Sequence, residues 1–254
     1  MPIDDGYRDN LVHAWPVFRR HACPFTIFVA PAIADGNCEL WWRGLEDVIA
    51  GVSVFRATIG GETLSLETIT DAQKQAAFDH VYWPVRSMPE HEQRRWIRSL
   101  CASHGVNLDA LCRAQAMNWD ELREIAVDPL CTIGAHTIHH YALAKLTPEE
   151  AIDEVIASRD RIAEELGKVP RFFAYPYGDE TSAGPRDFEL IRKAGFEAAV
   201  TTRKGLIFSQ HAHHPTALPR VTLNGDFQKL RYVDVLMSGS AFALSNRFKR
   251  VKAA

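Results

Sequence analysis

The sequence lacks the long hydrophobic runs and the strong charge imbalance that mark two common classes of protein. No apolar stretch approaches the roughly 20 residues that a membrane-spanning helix needs. The formal net charge of the 254-residue chain is only -3, so the chain has no electrostatic attraction to nucleic acid or acidic lipid. These absences predict a protein that neither spans a membrane nor binds nucleic acid.

Cysteine is scarce, and its spacing is that of free thiols. The five cysteines are an odd number and lack the closely spaced pairs that bind structural zinc. The N-terminus also lacks the basic and apolar segments of a signal peptide. Reduced thiols without a leader predict a cytoplasmic location for the chain as written, and a periplasmic or secreted location if a segment upstream is missing.

The composition that is present, 46% hydrophobic and 24% charged, is typical of a globular protein. Neither a repeat nor a low-complexity linker divides the chain, so we predict one domain over residues 1–254. Short apolar runs alternate with helical stretches, which indicates parallel strands covered by helices. The predicted strands are Thr26–Ala30, Leu130–Gly134, Phe172–Tyr175, Glu197–Thr201 and Leu218–Leu223.

Helices are predicted between these strands. Thr147-Pro148-Glu149-Glu150 is a capping box with proline at the first helical position, and Gly167 ends the helix that it opens. Residues 56–120 fit the alternation poorly and are predicted to be a mostly helical insertion, and residues 225–254 are predicted to be a C-terminal tail. The other predicted helices are Asn10–Arg20, Trp119–Ala126 and Pro185–Ala194.

Two histidines, His136 and His140, follow the second of the predicted strands. If the chain enters a helical turn there, the two imidazoles lie on one face and can each place a nitrogen about 2.0–2.1 Å from a zinc ion. A pair at this spacing is also common among ordinary polar histidines. Functional groups gather at strand ends in α/β folds, which favours the metal-binding interpretation.

Two adjacent carboxylates, Asp4 and Asp5, lie close to the N-terminus and precede Gly6. Such a group is often an ordinary turn. In an extended segment, however, neighbouring side chains point in different directions, so one carboxylate can bind a metal while the other faces a substrate. A free carboxylate beside a metal is a suitable general base. Together with the two histidines, these residues are sufficient for metal-assisted hydrolysis.

Three motifs, in this order along the chain, resemble those of the polysaccharide deacetylases, the NodB-homology or carbohydrate esterase family 4 enzymes. Ile3-Asp4-Asp5-Gly6-Tyr7 resembles the family's Thr-Phe-Asp-Asp-Gly motif. His136-Thr137-x-x-His140 matches the family's His-Ser/Thr-x-x-His motif. The segment Phe-Ala-Tyr-Pro-Tyr-Gly at 173–178 resembles Arg-Pro-Pro-Tyr-Gly, and Leu218-Pro219-Arg220-Val221 is similar to members linked to bacterial exopolysaccharides.

The resemblance implies a distorted (β/α) barrel with fewer than eight strands. Since Asp4 and Asp5 stand so near the start, the first strand is expected to be truncated, or the barrel to be open where that strand should lie. The implied activity is metal-dependent hydrolysis of an acetyl group on a carbohydrate, and we favour N-acetyl over O-acetyl. An acetylated saccharide is therefore the expected partner.

The resemblance also implies site residues. Carried over by position, Asp5, His136 and His140 bind the metal, which we predict to be Zn²⁺ because the donor set has two imidazoles and a carboxylate. Asp4 is then the general base, and the backbone N–H of Tyr177 helps to stabilise the oxyanion. Thr137 is expected to orient its own motif by hydrogen bonding.

The sequence departs from the family pattern at the residues that assist the base. Ala174 occupies the place of an arginine that orients the base in many members, and Arg171 is too far along the strand to replace it. Arg220 is the better candidate to reach Asp4, although a salt bridge at the barrel rim is an equally good interpretation of Arg220. We therefore predict Arg220 as a catalytic residue alongside Asp4 and Tyr177.

The general acid is a second departure. The family's histidine from a late Leu-x-His motif has no clear counterpart, because Leu218-Pro219-Arg220 stands where that motif is expected. The loop histidines His211, His213 and His214 are weak candidates. Two other functions therefore stay open, namely hydrolysis of a small non-sugar amide or imide on the same fold, and a metal-binding relative that is catalytically impaired.

Aromatic residues could line a substrate groove. Trp41 and Trp42 could stack on sugar rings, but we expect at least one of them to pack in the core. We expect the aromatic residues of the insertion to pack rather than to function, although a lining role in a substrate groove stays open for some of them. The aromatic residues of the insertion are Phe78, Tyr82, Trp83 and Trp96.

Overall fold

The computed structural model describes residues 1–223, 229–246 and 251. Six of its strands form one sheet in the order β1-β2-β5-β6-β7-β8, and every neighbouring pair is parallel. The sheet curls so that its first and last strands meet at one end, which confirms the predicted distorted barrel with fewer than eight strands. The strands are β1 (Pro2–Asp5), β2 (Phe25–Val29), β3 (Val54–Ile59), β4 (Glu62–Glu67), β5 (Cys131–Ala135), β6 (Phe172–Ala174), β7 (Ala198–Lys204) and β8 (Leu218–Arg220).

The first strand is short, but it is present. All four of its residues pair with β2, in a register that runs from Pro2 opposite Thr26 to Asp5 opposite Val29. The expectation that the barrel is open at its first strand is therefore wrong. Four residues are sufficient because β2 offers a complete parallel edge, with Ile27 and Val29 fully buried beneath it.

Helices cover the outside of the sheet, as the alternating pattern predicted. Apolar residues of α7, α8 and α9 pack against the sheet in one continuous core. The helices are α1 (Trp15–Arg20, preceded by a π-helical turn at Asn10–Ala14), α2 (Pro31–Ala34), α3 (Trp41–Gly51), α4 (Asp71–Ser87), α5 (Glu90–Ser103), α6 (Leu108–Gln115), α7 (Trp119–Ala126), α8 (Pro148–Leu166), α9 (Pro185–Lys193), α10 (Leu230–Met237) and α11 (Ser240–Ser245).

The termini of α8 are those that the sequence predicted. The Thr147 side chain accepts a hydrogen bond from the backbone of Glu150 at 3.2 Å, and the Glu150 carboxylate accepts one from the Thr147 backbone at 2.9 Å. This reciprocal pair satisfies two backbone donors that the helix itself cannot. Gly167 ends the helix with a φ of 67°, a left-handed conformation that glycine adopts without a Cβ clash.

The insertion is mostly helical, but it begins with a hairpin that the sequence analysis missed. Strands β3 and β4 pair antiparallel across Gly60 and Gly61, which both have positive φ. The hairpin and α4 and α5 pack with α3 around a second apolar cluster that includes Trp41 and Phe55. The insertion thus packs on α3, which comes after β2 and the short helix α2.

The predicted C-terminal tail, residues 225–254, begins outside the described residues and contains α10 and α11. Within the described part of the chain, no helix has both the length and the apolar character required to cross a bilayer.

Candidate active site

Three potential metal ligands meet at the carboxyl end of the sheet. Asp5 is the last residue of β1, and His136 directly follows β5. The Asp5 Oδ1 atom lies 3.4 Å from His136 Nε2 and 3.1 Å from His140 Nε2. One donor atom from each of the three residues lies within 4.8 Å of the others. The fold therefore brings the carboxylate of Asp5 together with two imidazoles that lie far along the chain from it.

The two imidazoles are not on a helical turn, so that part of the sequence interpretation is wrong. Residues 136–140 form a loop in which Thr137 and His140 both have positive φ, at 54° and 59°. These two left-handed residues fold the loop back so that both rings face Asp5. A residue with a Cβ rarely adopts this conformation, and it is found mainly at functional sites.

Glu154, a buried residue of α8, fastens this loop. Its Oε2 atom accepts hydrogen bonds from the backbone amides of Ile138 at 3.1 Å and His139 at 2.9 Å, and its Oε1 atom lies 2.6 Å from His139 Nδ1. Thr137, which was expected to orient the motif, has a buried hydroxyl with no hydrogen-bond partner among the described residues. The carboxylate of Glu154, which the sequence analysis did not single out, has that role instead.

The hydrogen bonds around the histidines determine where their lone pairs point. His136 Nδ1 lies 2.7 Å from the carbonyl oxygen of Ala174, and a carbonyl only accepts, so Nδ1 donates. In the neutral ring, the Nε2 lone pair is then directed towards Asp5. The Asp5 Oδ1 atom is buried and has no hydrogen-bond partner among the described residues. With His136 neutral, an imidazole lone pair faces a buried carboxylate oxygen, an arrangement that suits a divalent cation.

The local electrostatics agree with this donor set. Burial alone would raise the pKa of the Asp5 carboxyl, but His140 and His136 together hold it well below its usual range. Burial lowers the pKa of His140, which keeps its imidazole neutral and able to bind a cation. Burial also opposes protonation of His136, but its contact with Asp5 and the nearby charge of Asp4 raise its pKa above the ordinary value. In the absence of a cation, His136 is therefore protonated more readily than an ordinary histidine, and His140 less readily.

Asp4 faces the same cleft and forms an ion pair with Arg220. The two guanidinium Nη atoms each donate to one oxygen of the carboxylate at 2.8 Å, and Nε donates to the Thr201 carbonyl at 2.8 Å. The pair joins β1 to β8. Arg171, the alternative in the sequence analysis, instead forms an ion pair with Glu197 at the surface. Of the two arginines, Arg220 is thus the one that orients Asp4.

Tyr177 lies on the other side of His140, with ring centroids 4.8 Å apart. Its φ is 62°, and its hydroxyl accepts a hydrogen bond of 2.7 Å from Trp41 Nε1. Gly178 follows with a φ of 65°, and a Cβ there would lie 2.7 Å from the backbone nitrogen of Thr202. The backbone of Tyr177 is therefore fixed at the cleft, where its N–H donates to none of the described residues.

An aromatic wall completes the cleft, which has a volume of about 290 Å³. Trp42 comes from α3, and Phe78 and Tyr82 come from α4. Phe78 and Tyr82 pack against the apolar cluster of the insertion, as expected, and they also line this cleft. Trp41 is fully buried, as was expected of one of the two tryptophans. The lining residues are Asp4, Asp5, Trp42, Phe78, Tyr82, His136, His140, Tyr177 and Thr202.

This geometry can be set beside known proteins. Residues 1–199, well over half of the chain, match the family model described as polysaccharide deacetylase. The chain belongs to the polysaccharide deacetylase family. The predicted family is thereby confirmed, and with it the prediction of a hydrolase of the carbohydrate-deacetylase class.

Solved structures of deacetylases share the fold of this family member. The Streptococcus pyogenes deacetylase PplD, solved with acetate, aligns over 94% of this chain and 69% of its own, with 12% identity and a TM-score of 0.57. A de-N-acetylase from Aggregatibacter actinomycetemcomitans aligns over 92% and 73%, with 12% identity and a TM-score of 0.54. IcaB from Ammonifex degensii aligns over 93% and 70%, with 20% identity and a TM-score of 0.50. A search of curated proteins gave no match.

The histidines considered as the general acid of this deacetylase lie away from the cleft. His211 is buried in a 3-10 helix, where its Nδ1 accepts a hydrogen bond from the Phe208 backbone at 3.0 Å. His213 and His214 are exposed. Among the described residues, the cleft contains no histidine other than His136 and His140.

Proposed function

We propose that this protein is a metal-dependent hydrolase that removes acetyl groups from a carbohydrate, N-acetyl in preference to O-acetyl. The observation that carries this proposal is the convergence of Asp5, His136 and His140 at one end of a cleft that also contains the ion-paired Asp4. A single cleft thus offers a cation site and a separate carboxylate, which hydrolysis of an amide or ester requires.

We assign the cation site to Asp5, His136 and His140, and we favour zinc because two neutral imidazoles and one carboxylate suit it better than magnesium. A zinc ion there would supply Lewis acidity to the acyl carbonyl and to the attacking water. Three protein ligands leave further positions on the ion for substrate and water, as in other catalytic zinc sites.

The remaining roles fall to two residues of the cleft wall. Asp4 removes a proton from the attacking water, and Arg220 fixes the direction of the carboxylate through two parallel hydrogen bonds. We assign the backbone N–H of Tyr177, whose ring lies against His140, the role of donating to the oxygen of the tetrahedral intermediate. Both groups are fixed before substrate arrives, which reduces the reorganisation that the reaction requires.

The cleft wall supports a sugar substrate. Trp42, Phe78 and Tyr82 line the cleft beside the carboxylates, and aromatic rings suit the apolar faces of pyranose rings. Two of the structural neighbours are described as a deacetylase solved with acetate and a de-N-acetylase, which supports acetyl release from nitrogen. The family's association with exopolysaccharides gives a further reason to begin with polymeric substrates.

A second candidate function is a metal-binding relative with impaired catalysis. It is favoured by the lack of a further histidine in the cleft formed by the described residues, since such a residue would protonate the leaving amine. The two candidates share the cation site and differ in turnover.

Elemental analysis and an acetate-release assay test the proposal together. The wild-type protein should contain zinc and release acetate from at least one of a panel of N- and O-acetylated oligosaccharides. Asp5→Ala, His136→Ala and His140→Ala should each lose the metal, whereas Asp4→Asn should keep it and lose most of the rate. His13→Ala, an exposed histidine on the π-helical turn, is the control and should retain both.

The outcomes separate the candidates. Zinc without turnover on the panel or on small amides would favour the impaired relative. Protein that binds no divalent metal, or ligand variants that retain it, would overturn the assignment of the cation site.

A further inference from the structure

Two charged residues of the insertion are buried against the backbone of a proposed metal ligand. Glu90 and Arg94 on α5 each have about 1% of their surface exposed. Arg94 Nη2 donates to the His140 carbonyl at 3.4 Å, and its Nη1 donates to the carbonyl of Glu39. The Glu90 carboxylate accepts a hydrogen bond from the Ala142 amide at 3.0 Å. The two side chains lie 3.6 Å apart, so they bracket the backbone on both sides of residue 141.

Burial of such an ion pair is unfavourable unless both charged groups also form hydrogen bonds with their surroundings. Here they reach the backbone of His140, one of two proposed ligands with a left-handed conformation, with a φ of 59° against 73° for Asp5. That conformation costs energy in a residue with a Cβ and persists only when its surroundings enforce it. Rotation towards an ordinary φ would carry the imidazole away from Asp5, which lies 3.1 Å from its Nε2 atom.

The insertion makes a matching contact on Tyr177, another left-handed residue beside the cleft. The Arg86 guanidinium on α4 lies 3.6 Å from the centre of the Tyr177 ring. Arg86 is itself fixed, because it donates to Ser182 Oγ at 2.5 Å and lies 3.8 Å from the Asp179 carboxylate. The ring of Tyr177 is therefore held between this cation and the hydrogen bond from Trp41.

We propose that Glu90, Arg94 and Arg86 are positioning residues, through which the insertion holds His140 in place for the metal and the Tyr177 amide in place for the oxyanion. This inference rests on the roles given to His140 and Tyr177 in the proposed function. The Glu90–Arg94 pair and Arg86 are expected to have different effects. The Glu90–Arg94 pair governs the affinity of the site for the cation, and Arg86 governs the rate.

Zinc affinity tests the first effect. The zinc dissociation constant is measured by competition with a chromophoric chelator, and the visible absorption of the cobalt-loaded protein reports ligand geometry. Arg94→Met should weaken zinc binding roughly tenfold to a hundredfold, as loss of groups that support metal ligands generally does. Arg94→Lys should recover part of the affinity, because an ammonium can still donate to a carbonyl.

The double variant Glu90→Gln with Arg94→Met removes both buried charges, so it tests the inference even if Arg94→Met alone fails to fold. Arg186→Met is the matched control. Arg186 also donates to two backbone carbonyls, those of Leu143 and Leu146, and pairs with an acidic neighbour, Asp187, but contacts neither His140 nor Tyr177. The control should keep the wild-type zinc affinity and cobalt spectrum.

Steady-state kinetics test the second effect. On an acetylated saccharide that the wild type hydrolyses, Arg86→Met should lower kcat at least tenfold while changing KM and zinc affinity less than twofold. Arg86→Lys, which keeps a cation over the ring, should restore part of kcat.

The outcomes distinguish this inference from the proposed function. Wild-type protein that binds no zinc overturns the function itself. Wild-type protein that binds zinc, with Arg94→Met and the double variant equally tight and spectrally unchanged, overturns the role of the Glu90–Arg94 pair. An unchanged kcat in Arg86→Met overturns the role of Arg86.

Discussion

Arg220 contacts Asp4 from a different strand than the one that leads into the third motif. The motif position to which the resemblance assigns an arginine holds Ala174, and the guanidinium that reaches Asp4 comes from β8. Its fork matches both carboxylate oxygens at once, which a lysine cannot do. The direction of the Asp4 carboxylate therefore depends on this one side chain.

Substitution of Arg220 should affect rate and not metal content. We expect both Arg220→Lys and Arg220→Met to lower kcat at least tenfold, because neither can form two parallel hydrogen bonds to Asp4. Zinc content should stay at the wild-type level, since Arg220 contacts none of the three proposed ligands. Single-turnover acetate release and elemental analysis measure the two quantities. A wild-type rate in both variants would show that Arg220 only forms a structural salt bridge at the barrel rim.

The pKa shifts of the ligands predict how zinc affinity depends on pH. Without a cation, the raised pKa of His136 keeps that ring protonated to a higher pH than an ordinary histidine, whereas the pKa values of His140 and the Asp5 carboxyl are lowered. Zinc must therefore displace one proton, and its affinity should fall as pH decreases through the raised pKa of His136.

Measured between pH 8 and pH 5.5, the logarithm of the dissociation constant should rise as pH falls, with a slope that approaches one proton per ion below the raised pKa of His136. A slope near two would show that His140 is also protonated in this range. A flat profile would contradict the expectation that zinc displaces a proton from His136.

At this scale, the sequence was informative where a motif is contiguous and uninformative where partners come from elsewhere. Asp4, Asp5, His136 and His140 could be identified from short strings, and the structure brings them together. Glu154 could not, because a glutamate at helical spacing resembles any other residue of a solvated helix face. Its importance arises only from the hydrogen bonds that its carboxylate accepts from two backbone amides of the loop.

Strand β5, which leads into the histidine loop, is packed most tightly at Gly134. A Cβ there would lie 2.4 Å from a ring carbon of Phe28 and 3.0 Å from the Phe172 carbonyl oxygen. We expect Gly134→Ala to lower the free energy of unfolding by roughly 1–3 kcal/mol, the range for overpacked cores.

Chemical denaturation measures this effect, and Gly51→Ala is the control. Gly51 is the last residue of α3 and has open space around its Cβ position, so alanine there should be neutral or slightly stabilising. Equal stabilities for the two alanine variants would mean that β2 and β5 adjust without cost.

Elements with regular patterns were predicted well, and those with local exceptions were not. Helix α8 has its capping box and terminal glycine in sequence, so both ends could be predicted. The hairpin β3–β4 was missed although Gly60-Gly61 lies between two alternating runs, which is a hairpin pattern. The fold of the 136–140 loop depends on positive φ at Thr137 and His140, and the conformational preferences of threonine and histidine do not predict it.

For the whole molecule, a bound cation should stabilise the fold. The proposed ligands come from β1 and from the loop after β5, so an ion on them links distant parts of the chain. At a free zinc concentration a hundredfold above the dissociation constant, the gain in unfolding free energy is about 2.7 kcal/mol.

Calorimetry of metal-free protein with added zinc should therefore show a Tm that rises with zinc concentration. Asp5→Ala should show no rise over the same range. A similar rise in both proteins would place the stabilising ion elsewhere in the chain.

The ion pair between Asp4 and Arg220, 216 positions apart, joins the first strand of the sheet to the last. It consequently sets an order of events during translation. The ribosome releases the aspartates and both histidines long before it releases β8, so a nascent chain can possess its ligands while the carboxylate of Asp4 still lacks a partner. On the roles proposed above, hydrolytic competence is a late property of biosynthesis that appears only when the closing strand docks.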